Sequence, residues 1–155
     1  MIKRLEILEK VHKIKEKRLT SPKMEDYLEV IYELLKEKGY VKSKDISRIL
    51  NVKASTVTIM LKALAEKKLI NYEKYGGITL TEEGIKKAEE ISRKHKIIID
   101  FLLLLGIDEK QANLEAEGIE HIISDETLRK IEKLYNLIKE DEVIERKIKE
   151  KLYNV

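Results

Sequence analysis

The residues of this chain whose types and spacing can do chemistry are two acid-rich clusters and one isolated histidine. Asp26 and Glu29 lie in Met24-Glu25-Asp26-Tyr27-Leu28-Glu29, and Glu117, Glu120 and His121 lie in Glu117-Gly118-Ile119-Glu120-His121. His95 falls between them. Each cluster has i, i+3 or i, i+4 spacing, so a helix would present its groups on one face. The chain has no cysteine. Carboxylates and imidazoles without sulfur describe a site for divalent Mn, Fe, Co or Zn. Each fragment alone also has a plainer meaning. An acid pair such as Asp26/Glu29 is usually a solvated helix face, and a single histidine is more often packed or on the surface. Glu-x-x-Glu-His says more, because it matches the inward carboxylates of helical metal sites.

The elements that must position these groups follow from local signals. Thr20-Ser21-Pro22 gives a helix cap followed by proline at the first helical position. Apolar residues then recur at Met24, Tyr27, Leu28, Ile31, Leu34 and Leu35, up to Gly39. Asp26, Glu29 and Glu33 fall off that stripe. Ser43 is expected to cap a short helix, Lys44–Leu50. Asn51-Val52-Lys53 turns into a second helix over about Ala54–Lys67, with Val57, Leu61 and Leu64 facing inward. Two short helices joined by a tight turn form a helix-turn-helix. Asn71–Tyr75, Gly76-Gly77 and Ile78-Thr79-Leu80 then read as a hairpin, which completes a winged helix.

Thr81 caps a long helix from Glu82 to about Leu105 that carries His95. Asp108 opens the helix holding the second cluster. Ser124 opens another, near Asp125–Ile138, with Leu128, Ile131, Leu134, Tyr135 and Ile138 on its apolar face. A charged tail helix spans about Asp141–Tyr153, and Met1–Leu19 also has helical spacing. The expected fold is mostly α. An extension helix (1–20) precedes a winged helix-turn-helix (21–81) and a helical dimerisation and metal-binding domain (82–155). His12 has no partner pattern and is expected on the surface.

On a recognition helix the exposed N-terminal half faces base edges in the major groove. Ser55, Thr56, Thr58 and Lys62 are the residues so placed, against a reading as plain polar surface. Lys74 and Tyr75, near the wing tip, would meet phosphates. Ile59 is apolar where a polar residue is expected; it contacts a thymine methyl or simply packs.

Composition sets the outer limits. The chain has 155 residues, 43% apolar and 39% charged, with Lys+Arg 32 against Asp+Glu 29 for a net +3. That charge is too small to imply nucleic acid by itself; its distribution matters. Absence of cysteine excludes disulfides and thiol catalysis. No segment approaches the ~20 apolar residues of a membrane span, and the N-terminus is charged throughout, so a cytoplasmic protein is expected.

Together these residues resemble the DtxR/MntR group of metal-dependent transcriptional repressors, most closely its manganese-responsive branch. The resemblance covers about residues 21–140. It is carried by Ser-Pro-Lys-Met-Glu-Asp-Tyr-Leu-Glu, the helix-turn-helix, Tyr-Glu-Lys-Tyr-Gly-Gly and Glu-Gly-Ile-Glu-His. The helix before Thr20 is a departure from it. The resemblance implies metal ligands at Asp26, Glu29, His95, Glu117, Glu120 and His121. The iron-responsive branch usually has methionine and cysteine where this chain has Asp26 and Glu117, which favours Mn2+ (or Fe2+), with two ions per subunit. It also implies a homodimer on a palindromic double-stranded operator of a metal-uptake gene, and no enzymatic activity. Two other classes stand beside it. One is a winged-helix regulator answering an organic ligand or protein partner. The other is a carboxylate-bridged di-metal enzyme, for which the usual pair of Glu-x-x-His motifs is missing.

Overall fold

The computed structural model describes residues 4–16, 20–73 and 77–153, with backbone alone for 11–16. Its elements run α1 (Arg4–Glu16), α2 (Pro22–Lys38), α3 (Ser43–Ile49), α4 (Ala54–Glu66), β1 (Ile70–Glu73), β2 (Gly77–Leu80), α5 (Glu82–Leu104), α6 (Glu109–Glu120), α7 (Asp125–Glu140) and α8 (Glu142–Leu152). The chain divides into two compact units, Met1–Ala88 and Glu89–Val155.

In the first unit α2 starts where the sequence says it should. Ser21 is the N-cap and accepts a hydrogen bond from the Met24 amide, Pro22 opens the helix, and Gly39 closes it in the left-handed conformation. The stripe from Met24 to Leu34 is buried, with Leu28, Ile31, Ile46, Val57, Leu61 and Leu64 fully enclosed. Those residues come from α2, α3 and α4, so the core is the helix-turn-helix itself. One cap differs from expectation. Lys42, not Ser43, holds the N-cap conformation of α3, without a side-chain bond. The Asp45 and Ile46 amides both reach the Lys42 carbonyl, which starts the helix one residue early. The turn into α4 uses Asn51 at φ 51°, and the Ser47 hydroxyl donates to the Val52 carbonyl across it at 2.6 Å.

The wing is a two-stranded antiparallel ribbon pairing Ile70 with Leu80 and Tyr72 with Ile78. Its exit is tight. The Thr81 hydroxyl donates to the Lys68 carbonyl at 2.7 Å and accepts from the Gly84 amide at 3.0 Å. A Cβ on Gly84 would sit 1.9 Å from the Leu69 carbonyl oxygen, so the first turn of α5 packs directly on the chain entering β1.

In the second unit, Ile97 and Ile98 of α5, Ala116 of α6 and Leu128 of α7 form a core flanked by Ile99, Leu102, Ile119, Ile123 and Ile131. Asp108, Ser124 and Asp141 cap α6, α7 and α8 through their side chains. Leu134 is exposed rather than packed within the chain, as is its neighbour Leu137. Tyr153 closes over Gly106 and donates its hydroxyl to the Leu103 carbonyl at 2.7 Å. No helix among the described residues is long and apolar enough to cross a membrane.

Candidate functional site

The core of the second unit fixes one face of α6 against α5. Ala116 is fully buried, so its neighbours on the same helix, Glu117 and Glu120, are held beside the stretch of α5 that carries His95. Glu120 Oε2 lies 2.5 Å from His95 Nδ1, and Glu117 Oε1 lies 3.7 Å from the same nitrogen. Exposure is graded across the group: the Glu120 side chain is 0% exposed, His95 19% and Glu117 55%. His121 follows at the C-cap of α6, its Nε2 3.7 Å from Glu120 Oε1.

The electrostatics of this group ask for a cation. Two carboxylates share one imidazole nitrogen. Glu120 Oε1 is buried with no hydrogen-bond partner among the described residues. A buried acceptor left unsatisfied costs about 1–3 kcal/mol, more when it carries charge. One ligand atom each from His95, Glu117 and Glu120 lies within 4.8 Å of the others. Opposed oxygens on an ion bound at about 2.2 Å are roughly 4.4 Å apart, so small side-chain adjustments close the group on an ion. The set of oxygen and imidazole donors fits a divalent first-row metal.

Of the six sequence candidates, the structure brings together His95, Glu117 and Glu120, with His121 adjoining. Asp26 and Glu29 are half-buried on α2 of the other unit. Burial pushes the Tyr27 phenol above its ordinary value, and the charge of neighbouring Asp26 adds to the rise.

Two further charged groups escape a sequence reading. Glu25, next to Asp26, is buried; it accepts from the Thr20 hydroxyl at 2.7 Å and lies 3.6 Å from Lys87 Nζ on α5. The only sequence signal is a threonine just before a capped helix. Lys94, beside His95, lies 2.9 Å from Asp125 and 3.1 Å from Glu90. Burial opposes its charge, but the hydrogen bonds it donates to Asp125 and Glu90 outweigh that and hold it above the ordinary lysine value. It ties α5 to the start of α7 and so steadies His95.

The other candidate surface is α4. Ser55, Thr56 and Lys62 are exposed, and Thr58 is half-buried. The Thr58 hydroxyl donates to the Ala54 carbonyl of its own helix at 3.1 Å. Ile59 is 69% exposed and so lies outside the core. Lys74 and Tyr75 lie outside the described residues, and so does the side chain of His12. Sequence reading also passed over a hollow lined by Lys38, Tyr40, Lys42, Lys44, Asp45 and Arg48, where α2 gives way to α3; its four basic groups outnumber the one carboxylate, which pairs with Arg48 at 3.6 Å.

Comparison with known proteins finds two family models that match the chain in order. Residues 19–78 match the model of the iron dependent repressor N-terminal DNA binding domain, and residues 81–149 match that of the iron dependent repressor metal binding and dimerisation domain. The HTH-type transcriptional regulator MntR of Bacillus subtilis is 37% identical over 131 residues, which is 84% of this chain and 92% of that protein. Among solved structures, the manganese regulator SloR matches with a TM-score of 0.65 at 33% identity, covering 73% of this chain and 53% of that one. T. acidophilum IdeR matches with a TM-score of 0.63 at 34% identity, covering 72% and 53%. The chain thus spans about half the length of those two solved proteins. A winged helix-turn-helix joined to a helical unit that gathers carboxylates around an imidazole, and both family models matched in order along the chain, lead to one statement: this chain belongs to the iron dependent repressor family.

Proposed function

We propose that this metal-dependent, DNA-binding transcriptional repressor responds to Mn2+ (or Fe2+), and that its ligands are Asp26, Glu29, His95, Glu117, Glu120 and His121, serving two ions per subunit. The observation that carries the reading is the buried Glu120 carboxylate beside His95 and Glu117, one of whose oxygens has no hydrogen-bond partner among the described residues and faces His121 at 3.7 Å. The all-oxygen-and-nitrogen donor set, with no thiol in the chain, supports the manganese end of the family. So does the likeness to the manganese regulator SloR.

The working division is a DNA-reading domain at 21–81 and a dimerisation and metal domain at 82–155, with 1–20 as an added helix. When bound, the divalent ions supply positive charge that offsets the mutual repulsion of the four carboxylates. Asp26 and Glu29, on the helix that opens the winged unit, would hold the ions together with His95, Glu117, Glu120 and His121. Sharing holds α2 in one arrangement with respect to the dimerisation helices. Each recognition helix α4 of a homodimer is thereby set to enter successive major grooves about 34 Å apart on a palindrome. Ligand binding needs only to favour that arrangement for repression to follow. Such a repressor acts where the DNA is, in the cytoplasm, and uptake genes for the same metal are its fitting targets. The regulator has no catalytic step to perform.

The test is a titration of metal-stripped protein with Mn2+, read by calorimetry and by capture of duplexes from a randomised pool. Binding of Mn2+ together with metal-dependent capture is expected. Capture that ignores metal would overturn the metal-dependent reading and favour a regulator answering some other signal.

Phosphate contacts should show in salt dependence. Lys62→Ala should weaken binding to all duplexes alike and lower the slope of log affinity against log salt by about 1 per subunit. An unchanged slope would remove Lys62 from the DNA surface.

A further inference from the structure

Ile59 lies at the centre of the outward face of α4. It follows Ser55 by four residues and precedes Lys62 by three, so the three form one stripe. It stands two positions from both Val57 and Leu61, which are fully buried. Two positions along a helix is about 200° of rotation, so Ile59 points away from the core. Its 69% exposure makes it, with Leu114, the most exposed large apolar residue after Leu5 among the described residues. A lone exposed apolar side chain is ordinary on a protein surface. This one is flanked by the hydroxyls of Ser55 and Thr56 and the ammonium of Lys62, on the face that the proposed function presses into a major groove. In that groove the only apolar group on a base edge is the thymine 5-methyl.

We infer that Ile59 is a specificity-determining residue that packs on a thymine 5-methyl in each half-site. The inference rests on α4 being the recognition helix of the proposed function. It deepens that reading by naming the base feature recognised. The hydroxyls beside Ile59 and the Lys62 ammonium set the side chain at the groove floor. Burying one methyl against it is worth about 0.8 kcal/mol, close to fourfold in affinity per half-site and roughly fifteenfold for a dimer on two half-sites.

The experiment uses the full chain with Mn2+. A duplex is selected from a randomised pool by the wild-type protein, then resynthesised with each thymine replaced in turn by deoxyuridine, which removes the methyl and keeps every hydrogen-bonding group. Wild type should lose about fourfold at one position in each half-site. Ile59→Ala should bind the original duplex more weakly and lose nothing further at that position, and Ile59→Val should restore most of the sensitivity. The site is exposed, so these variants fold. If wild type binds its duplex in a metal-dependent way yet no single deoxyuridine weakens it, the inference is overturned and the proposed function stands. The same holds if Ile59→Ala keeps the full deoxyuridine penalty. Failure of wild type to capture any duplex would sink both together.

Discussion

Glu120→Gln should lower Mn2+ affinity by at least ~100-fold and abolish metal-dependent DNA binding, while the metal-free protein melts at the same temperature or higher. The two readouts move apart for a physical reason. The carboxylate is fully buried, one oxygen is given to His95 and the other has no hydrogen-bond partner among the described residues. Without metal, a buried charge so placed is a cost, and a neutral isostere removes most of it. With metal, the proposed ligand set makes the same charge a donor to the ion, and even residues that merely orient ligands are worth about 10–100-fold in metal affinity. Calorimetry and thermal melting on stripped protein decide the matter. A lower melting temperature combined with unchanged Mn2+ affinity would make Glu120 a structural partner of His95 and remove it from the ligand set.

The second large effect lies at the wing. Gly84→Ala should destabilise the winged unit by about 3 kcal/mol, lower its melting temperature on the order of 10 °C, and cost DNA binding with it. The added Cβ would meet the Leu69 carbonyl oxygen at 1.9 Å, with the Leu69 carbonyl carbon at 2.9 Å behind it. Backbone does not rotate aside as a side chain would. Relief requires α5 to move off the strand entrance, which breaks the bonds through which Thr81 joins Lys68, Leu69 and Gly84. Lys86→Ala, exposed on the same helix, should stay within about 0.5 kcal/mol of wild type. If the two variants melt together, the close approach at Gly84 is not holding the wing.

What the sequence made legible is what short-range chemistry decides. The caps at Ser21, Asp108 and Ser124, the Pro22 start, the Gly39 stop and the two-helix unit with its hairpin all follow from residues within a turn or two of each other. The start of α3 slipped by one because a capping preference for Ser43 is weaker than the backbone bonds that place Ile46 in the core. Glu117 and Glu120 share a face by spacing alone. No periodicity brings His95 to them, since that contact depends on how Ile97, Ile98 and Ala116 pack. The burial of Glu25 against Thr20 and Lys87 was invisible for the same reason. Sequence pattern offers no way to tell it from the half-buried Asp26 next door. Leu134 sits on an apolar stripe yet faces outward within one chain, as fits a family whose second domain dimerises.

The graded exposure of the candidate ligands has a consequence for timing. Glu120 is sealed in and Glu117 is more than half open to solvent. With the ligand set proposed, Glu117 would be the most accessible of the three grouped ligands to a cation coming from or leaving to solvent. Exchange would then begin at Glu117, on the solvent side of the buried core, and would need no local unfolding. A repressor built this way would track the free metal concentration as it falls as well as when it rises.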